Sequence, residues 1–289
     1  MNTHADAPIP AAHLLLGAYL RTLGVARGVN PGDLTASSDQ DTRWITEPGA
    51  HPLPQPDQLA TLLALLGVTD PALVRSAQVL LAPSAHPHRL IDTAPGWSQR
   101  FAACERAATT LRLRAPLNVP AVLQTTAYAR ALRTPSHPRA DELCPPGSRL
   151  LPTDHIQHVT VVLDEMVLLP GIGSAAVMAE QIAFLQQRAE SDGLDLRVLP
   201  QHAGFLPRAL CEMTFAHRGR RLYADEEGQH PMYVSGPASV CGSLQQILSH
   251  AIHDAAPAEA SRALLQRHRQ HHEEQRLRQM LPKPPQSGS

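Results

Sequence analysis

Apolar residues recur at helical spacing through the first quarter of the chain. Leu16, Leu20 and Leu23 fall on one face of a run that starts at His13, and Gly28 stops it. Asn30 and Pro31 then suit the N-cap and first position of a second helix. Ser38 or Asp39 caps a short polar third segment, Asp39 to Glu47, which Pro48-Gly49 ends. Pro56 opens a fourth run, DQLATLLALLG, closed by Gly67. A fifth run, DPALVRSAQVLLA, leads into PSAHPHRLIDTAPG, whose prolines predict a loop. This pattern predicts a helical unit over 13–68, followed by a linker helix and loop over 69–96.

A second unit begins at Trp97. GWSQRFAACERAATTLRLR reads as one helix, with Trp97, Phe101, Cys104, Ala108 and Leu111 on its core face. Pro116 and Pro120 flank an extended LNVP, and AVLQTTAYARALRT follows as a helix. Proline and polar residues make 133–152 a loop. HVTVVLDEMVLL is apolar enough for one buried strand or two short ones. Ser174 caps a helix with a stripe of Val177 or Met178, Ile182, Leu185 and Ala189, and LDLRVLP is a further buried strand. Strand, helix and strand in that order predict a parallel crossover. LCEMTFAHR, RRLYADEE and HPMYVSG read as three short strands, and two helices close the chain before a polar tail at 276–289. The predicted class is α + α/β. A four- or five-helix N-terminal unit precedes a mixed α/β domain over 97–275 with a small sheet.

Composition alters the picture in three places. Aromatic residues are only 3% of the chain, so the core rests on Leu, Val and Ala. Cys104, Cys144, Cys211 and Cys241 are widely spaced with no CxxC pair, which predicts buried, reduced thiols in a cytoplasmic protein. No run approaches the length of a membrane span, and the first residues lack the basic and apolar regions of a signal peptide. Net charge is −1, which gives no global attraction to nucleic acid. Residues 1–68 carry three arginines (Arg21, Arg27, Arg43) against six carboxylates, a balance of −3. Residues 100–139 hold seven arginines against Glu105 alone, which fits either a solvated surface or a contact with an acidic partner or DNA backbone.

The stretch VPAVLQTTAYARAL, the helical run before it and HVTVVLDEMVLL after it resemble the C-terminal domain of the WhiJ-like, antitoxin-like family of actinomycete transcriptional regulators. The resemblance spans roughly Leu14 to Leu265 and implies an XRE-type helix-turn-helix in front of that domain. The matching residues are Leu20-Arg21, Ala26-Arg27-Gly28, Asp33-Leu34, Ile45, Glu47 and Gly49. Carried onto this chain, the positions facing the major groove are Gln40, Asp41, Thr42, Arg43 and Trp44. The chain departs from the pattern in a shortened interval between Leu34 and Glu47, in Asn30-Pro31 and in Pro48. The resemblance implies a homodimer on double-stranded operator DNA, with a small protein encoded nearby as partner. The competing reading is a protein-interaction or ligand-sensing module whose helix-turn-helix is vestigial.

Candidate ligand or partner residues are Glu105, Gln124, Thr125, Tyr128 and Arg130. Glu105 reads either as an ion-pair partner for an arginine such as Arg130 or as a ligand carboxylate. Gln124 and Thr125 read either as locks on a bend, since buried amides and hydroxyls need partners, or as pocket lining with Tyr128 and Arg130. His155 and His158 lack the companions of a zinc site, and His268, His271 and His272, with two glutamates on an exposed helix, read as a solvated face. GIGS before a helix is too common to mark a phosphate site. No GxSxG, HExxH or Walker sequence is present, and Asp164, Glu165, Glu212, Asp225, Glu226 and Glu227 lie on separate elements. The expectation is a protein without catalytic residues, metal or cofactor.

Overall fold

The computed structural model describes residues 9–29, 53–82, 86–132, 158–190, 193–203, 208–216, 219–225 and 230–280. Gln40, Asp41, Thr42, Arg43 and Trp44, and the predicted second and third helices, lie outside these residues. Among the described residues, helix α1 spans Ala11–Val25, α2 Pro56–Leu65, α3 Pro71–Gln78, α4 Trp97–Ala107, α5 Thr126–Leu132, α6 Ala175–Arg188, α7 Ala238–Asp254 and α8 Ala258–Met280. The strands are β1 Arg89–Ile91, β2 Thr110–Ala115, β3 His158–Asp164, β4 Leu194–Leu199, β5 Leu210–Thr214, β6 Arg221–Asp225 and β7 Met232–Ser235.

All seven strands form one sheet, in the order β1-β7-β6-β5-β2-β3-β4. β2, β3 and β4 run parallel, as the strand-helix-strand pattern requires. β5, β6 and β7 form an antiparallel meander joined to β2, and β1 closes the far edge against β7. The sheet is therefore larger than the small one expected.

Two strands were hidden by local sequence. α4 stops at Ala107, and Ala108 is already extended (φ −72°, ψ 147°). Thr109 and Thr110 are β-branched, and Leu111-Arg112-Leu113-Arg114 alternates with period two, so Leu111 is buried from a strand and not from the helix. β1 sits inside the predicted Pro-rich loop. A three-residue edge strand carries no readable alternation; the register Arg89↔Val234, Leu90↔Tyr233, Ile91↔Met232 defines it.

Two expected elements are shorter than predicted. The helix expected from Ala121 is a 3-10 turn, Ala121–Leu123, followed by α5 from Thr126. After β3 the chain makes a further 3-10 turn, Glu165–Leu168, so HVTVVLDEMVLL gives one strand that ends at Asp164, the first of its two readings. Pro56, Ser174 and the left-handed glycines Gly28 (φ 72°) and Gly67 (φ 65°) mark helix ends where the sequence predicts them.

One face of the sheet is apolar. Leu111, Leu113, Val161, Leu163, Leu196, Val198, Cys211, Met213, Leu222 and Tyr233 point into a core shared with α1, α4 and α6. α1 is buried on nearly every side, not along one stripe: Leu14, Leu15, Leu16, Ala18, Tyr19 and Leu20 are all within 2% of full burial. Thr22 Oγ1 donates to the Ala103 carbonyl of α4 (3.3 Å), and Ala11 N–H donates to Pro87 just before β1 (3.1 Å). Described residues on both sides of the expected linker thus belong to one core. No described helix is long and apolar enough to cross a membrane.

Candidate functional site

The bend between β2 and α5 is built from its own polar side chains. Val119 N–H donates to the Tyr128 hydroxyl (3.2 Å), and Gln124 Nε2 donates back to the Val119 carbonyl (2.7 Å). Tyr128 N–H donates to Thr125 Oγ1 (3.2 Å), so Thr125 caps the short helix α5. Tyr128 is fully buried, and burial raises its phenol pKa, partly offset by the Val119 N–H. Gln124, Thr125 and Tyr128 are therefore brought together in the bend, each hydrogen-bonded to another part of it. Arg130 is exposed at the end of α5, and Glu105 is half-buried in the last turn of α4.

Sequence reasoning missed Gln181, which completes the bend. It lies fully buried on α6, beside Met178, Ile182 and Leu185. Its Oε1 accepts the Thr125 N–H and its Nε2 donates to the Leu123 carbonyl, both at 2.7 Å. The signal was an amide within an apolar stripe, which has to find partners when buried. Gly173 (φ 67°) lets the turn before α6 approach α5, since a Cβ there would lie 2.9 Å from that of Ala131.

The second face of the sheet is charged, and α7 crosses it. Leu244 and Leu248 of α7 rest on Leu210, Tyr223 and Val234, and Ala251 and Ala255 rest on Val162 and Leu199. Around these contacts, alternate residues of the strands form ion pairs. Arg112 bonds Glu212 through two hydrogen bonds of 2.7 Å across the β2–β5 register. Arg114 bonds Asp164 (2.8 Å) at the carboxyl ends of β2 and β3, and Arg208 bonds Asp225 at the start of β5 and end of β6. The alternation in TLRLRA decides this: leucines take one face and arginines the other.

These environments split the carboxyl pKa values. Burial raises that of Asp164, and Arg114 only partly offsets it. Burial also pushes Glu212 up, but the two hydrogen bonds and the charge of Arg112, with the Tyr223 hydroxyl nearby, bring it below the ordinary glutamate value. The Tyr223 phenol is raised, by burial first and by the Glu212 carboxylate second. Each acid that the sequence leaves scattered among elements thus meets a named arginine, except Glu165, Glu226 and Glu227. Glu165 faces His268 (3.0 Å), and Glu226 and Glu227 lie outside the described residues.

The basic run also divides. Arg100 is fully buried: Nε and Nη2 bond both Asp92 oxygens (2.7 and 2.6 Å), and the remaining N–H groups reach Ser76, Ala94 and Pro95. Ser76 belongs to α3, so this one guanidinium ties the expected linker to α4. Arg112 and Arg114 serve the sheet, while Arg106 and Arg130 remain exposed. Cys104, Cys211 and Cys241 are buried thiols, and burial raises the pKa values of Cys104 and Cys241.

No curated protein matches this chain. A family model described as "Domain of unknown function (DUF5753)" matches residues 98–267, from the second residue of α4 to the middle of α8. That range contains the bend, its Gln181 lock and all of the charged sheet face, and it covers more than half of the 289 residues. The chain belongs to the DUF5753 family.

Proposed function

We propose that the protein is a sequence-specific, antitoxin-like transcriptional regulator. Its N-terminal segment reads double-stranded operator DNA as a homodimer, and its α/β domain binds a partner or ligand. The observation that carries this reading is a helical layer packed in front of the family domain. α1 carries Leu20-Arg21 and the turn after it Ala26-Arg27-Gly28, the residues that resemble a helix-turn-helix, and the Leu66 side chain just after α2 comes within 3.1 Å of where a Cβ on Gly24 would lie. The stretch between α1 and α2 carries the proposed reading residues Gln40, Asp41, Thr42, Arg43 and Trp44. α1 shares its core with α4, so a change in the α/β domain has a packed route to the helix that precedes that stretch in sequence. The reading gives the chain no catalytic role, since Asp164, Glu212 and Asp225 are each engaged by an arginine.

A second reading is an interaction or sensing module with a vestigial DNA-binding segment. The charge balance of −3 over residues 1–68 favours it, because phosphate neutralisation supplies much of the affinity for DNA. Fluorescence anisotropy on the DNA upstream of its own gene, over a salt series, separates the two. The first reading expects binding tighter than to random DNA, weakening with salt, and lost in Arg43→Glu with the fold intact. Absence of binding at low salt, or binding that Arg43→Glu leaves unchanged, overturns it.

A further inference from the structure

The inner stripe of α8 changes character along its length. Ser261 and Leu265 are buried, and Ser261 Oγ accepts the Val198 N–H of β4 (3.0 Å). One and two turns further on, the same stripe carries His268 and His272. Both reach the 3-10 turn after β3. His268 Nε2 lies 3.0 Å from Glu165 Oε1, and the other Glu165 oxygen accepts the Gln201 N–H (3.1 Å). His272 is fully buried with its Nε2 2.8 Å from the Leu168 carbonyl. A carbonyl only accepts, so Nε2 carries the proton, and Nδ1 has no hydrogen-bond partner.

Beyond Leu265 no large apolar side chain of α8 is buried. Leu277 and Met280 are 62% and 66% exposed. Among the described residues, this part of α8 also meets Gln186 of α6, through Gln266 (2.9 Å) and Arg269 (3.3 Å). The distal helix therefore depends on two imidazoles in place of an apolar seam.

We infer that residues 266–280 form a strap, latched by His268 and neutral His272 onto the 165–168 turn at the carboxyl end of β3, and that acidification releases it. A second proton on His272 would put an uncompensated charge at a buried Nδ1. Burial already lowers its pKa, with smaller contributions from His271 and His268. The charged and titratable groups around the latch are Glu165, with the Asp164–Arg114 pair behind it, and on α8 itself His268, His271, Arg267 and the Arg269–Glu273 pair. Glu165 is the acid nearest the latch, and it is engaged by His268 and Gln201. Burial raises its pKa, but these partners hold it below the ordinary value. Release frees the Leu168 carbonyl that His272 Nε2 now holds.

The test is hydrogen exchange of the full chain across a pH series, corrected for intrinsic rates. Protection of α8 amides beyond His268 should fall by about tenfold per pH unit, the slope of a single proton, below the ordinary histidine range. Amides of β2 and β3 should stay protected over the same range. In His272→Gln, which does not titrate, the fall should disappear. If that variant does not fold, the His272 imidazole of the wild type is followed by nitrogen NMR. The strap requires an Nε2–H tautomer that takes its second proton only as α8 protection falls. The inference is overturned if α8 and the sheet lose protection together, if α8 protection is independent of pH, or if His272 titrates at the ordinary value while α8 stays docked.

Discussion

The Gln181 side chain of α6 takes the place of a strand for the bend opposite it. Its Oε1 accepts the Thr125 N–H and its Nε2 donates to the Leu123 carbonyl, each at 2.7 Å. Replacing Gln181 with Leu keeps the volume and strands two backbone groups, one of them in a buried residue. Each such group costs about 1–3 kcal/mol, so Gln181→Leu should lower unfolding stability by roughly 2–4 kcal/mol. Urea denaturation measures this. A loss below the cost of one unpaired group would mean that water replaces the amide.

Arg100 and Asp92 form an ion pair that is 0% and 3% exposed. Removing one partner leaves a buried charge, so Arg100→Met should cost about 3–5 kcal/mol. The double variant Arg100→Met with Asp92→Leu should recover part of that loss. The Ser76, Ala94 and Pro95 acceptors stay unfilled in both, which makes full recovery the outcome that would refute the role of those three groups.

Glu212 and Asp164 should drive opposite pH dependences. Glu212 is lowered from 4.5, so its contribution is present above that value and is lost as pH falls through the folded one. The stability deficit of Glu212→Gln should therefore shrink on acidification. Asp164 is raised from 3.8, so ionising it costs stability as pH rises through its folded value. The deficit of Asp164→Asn should shrink in that direction instead. Urea unfolding of both variants over pH 3 to 7, at about half-unit steps, checks the signs, and parallel curves would contradict the assignment.

Gly173 holds a left-handed φ of 67° and has the Ala131 Cβ 2.9 Å from where its own Cβ would stand. Gly173→Ala should cost about 1–2 kcal/mol from the backbone alone, plus the clash. Adding Ala131→Gly should relieve only the clash, and thermal unfolding of the pair separates the two contributions.

Much of the architecture was legible where period and punctuation agreed. Pro56 and Gly67 bracket α2, Ser174 opens α6, and the parallel β3–α6–β4 order follows from two apolar runs around an amphipathic helix. Legibility failed where a signal was short or two signals overlapped. β1 has three residues, too few for a pattern. Leu111 satisfies both the helical stripe from Trp97 and the alternation of β2, and the β-branched pair Thr109-Thr110 was the evidence for the second. At the bend, Gln124, Thr125 and Tyr128 were visible as partly buried polar residues. Their partner Gln181 lies 56 residues from Thr125, a distance no local pattern spans. The arginine–carboxylate pairs are long-range in the same way: Arg112 meets Glu212 one hundred residues later.

Helix α1 has a bearing on how the protein can be divided. The DUF5753 match starts at Ser98, yet α4 rests on α1, β1 closes the sheet from residues 89–91, and Ser235 Oγ of β7 donates to the Ile9 carbonyl (2.6 Å). A fragment cut at Ser98 would lose an edge strand and strip the cover from Ala103, Cys104 and the leucines beneath them. Such a fragment should come out insoluble, whereas one that begins at or before Ile9 keeps its interior closed. The start of the family match and the start of the shared core fall about ninety residues apart on this chain.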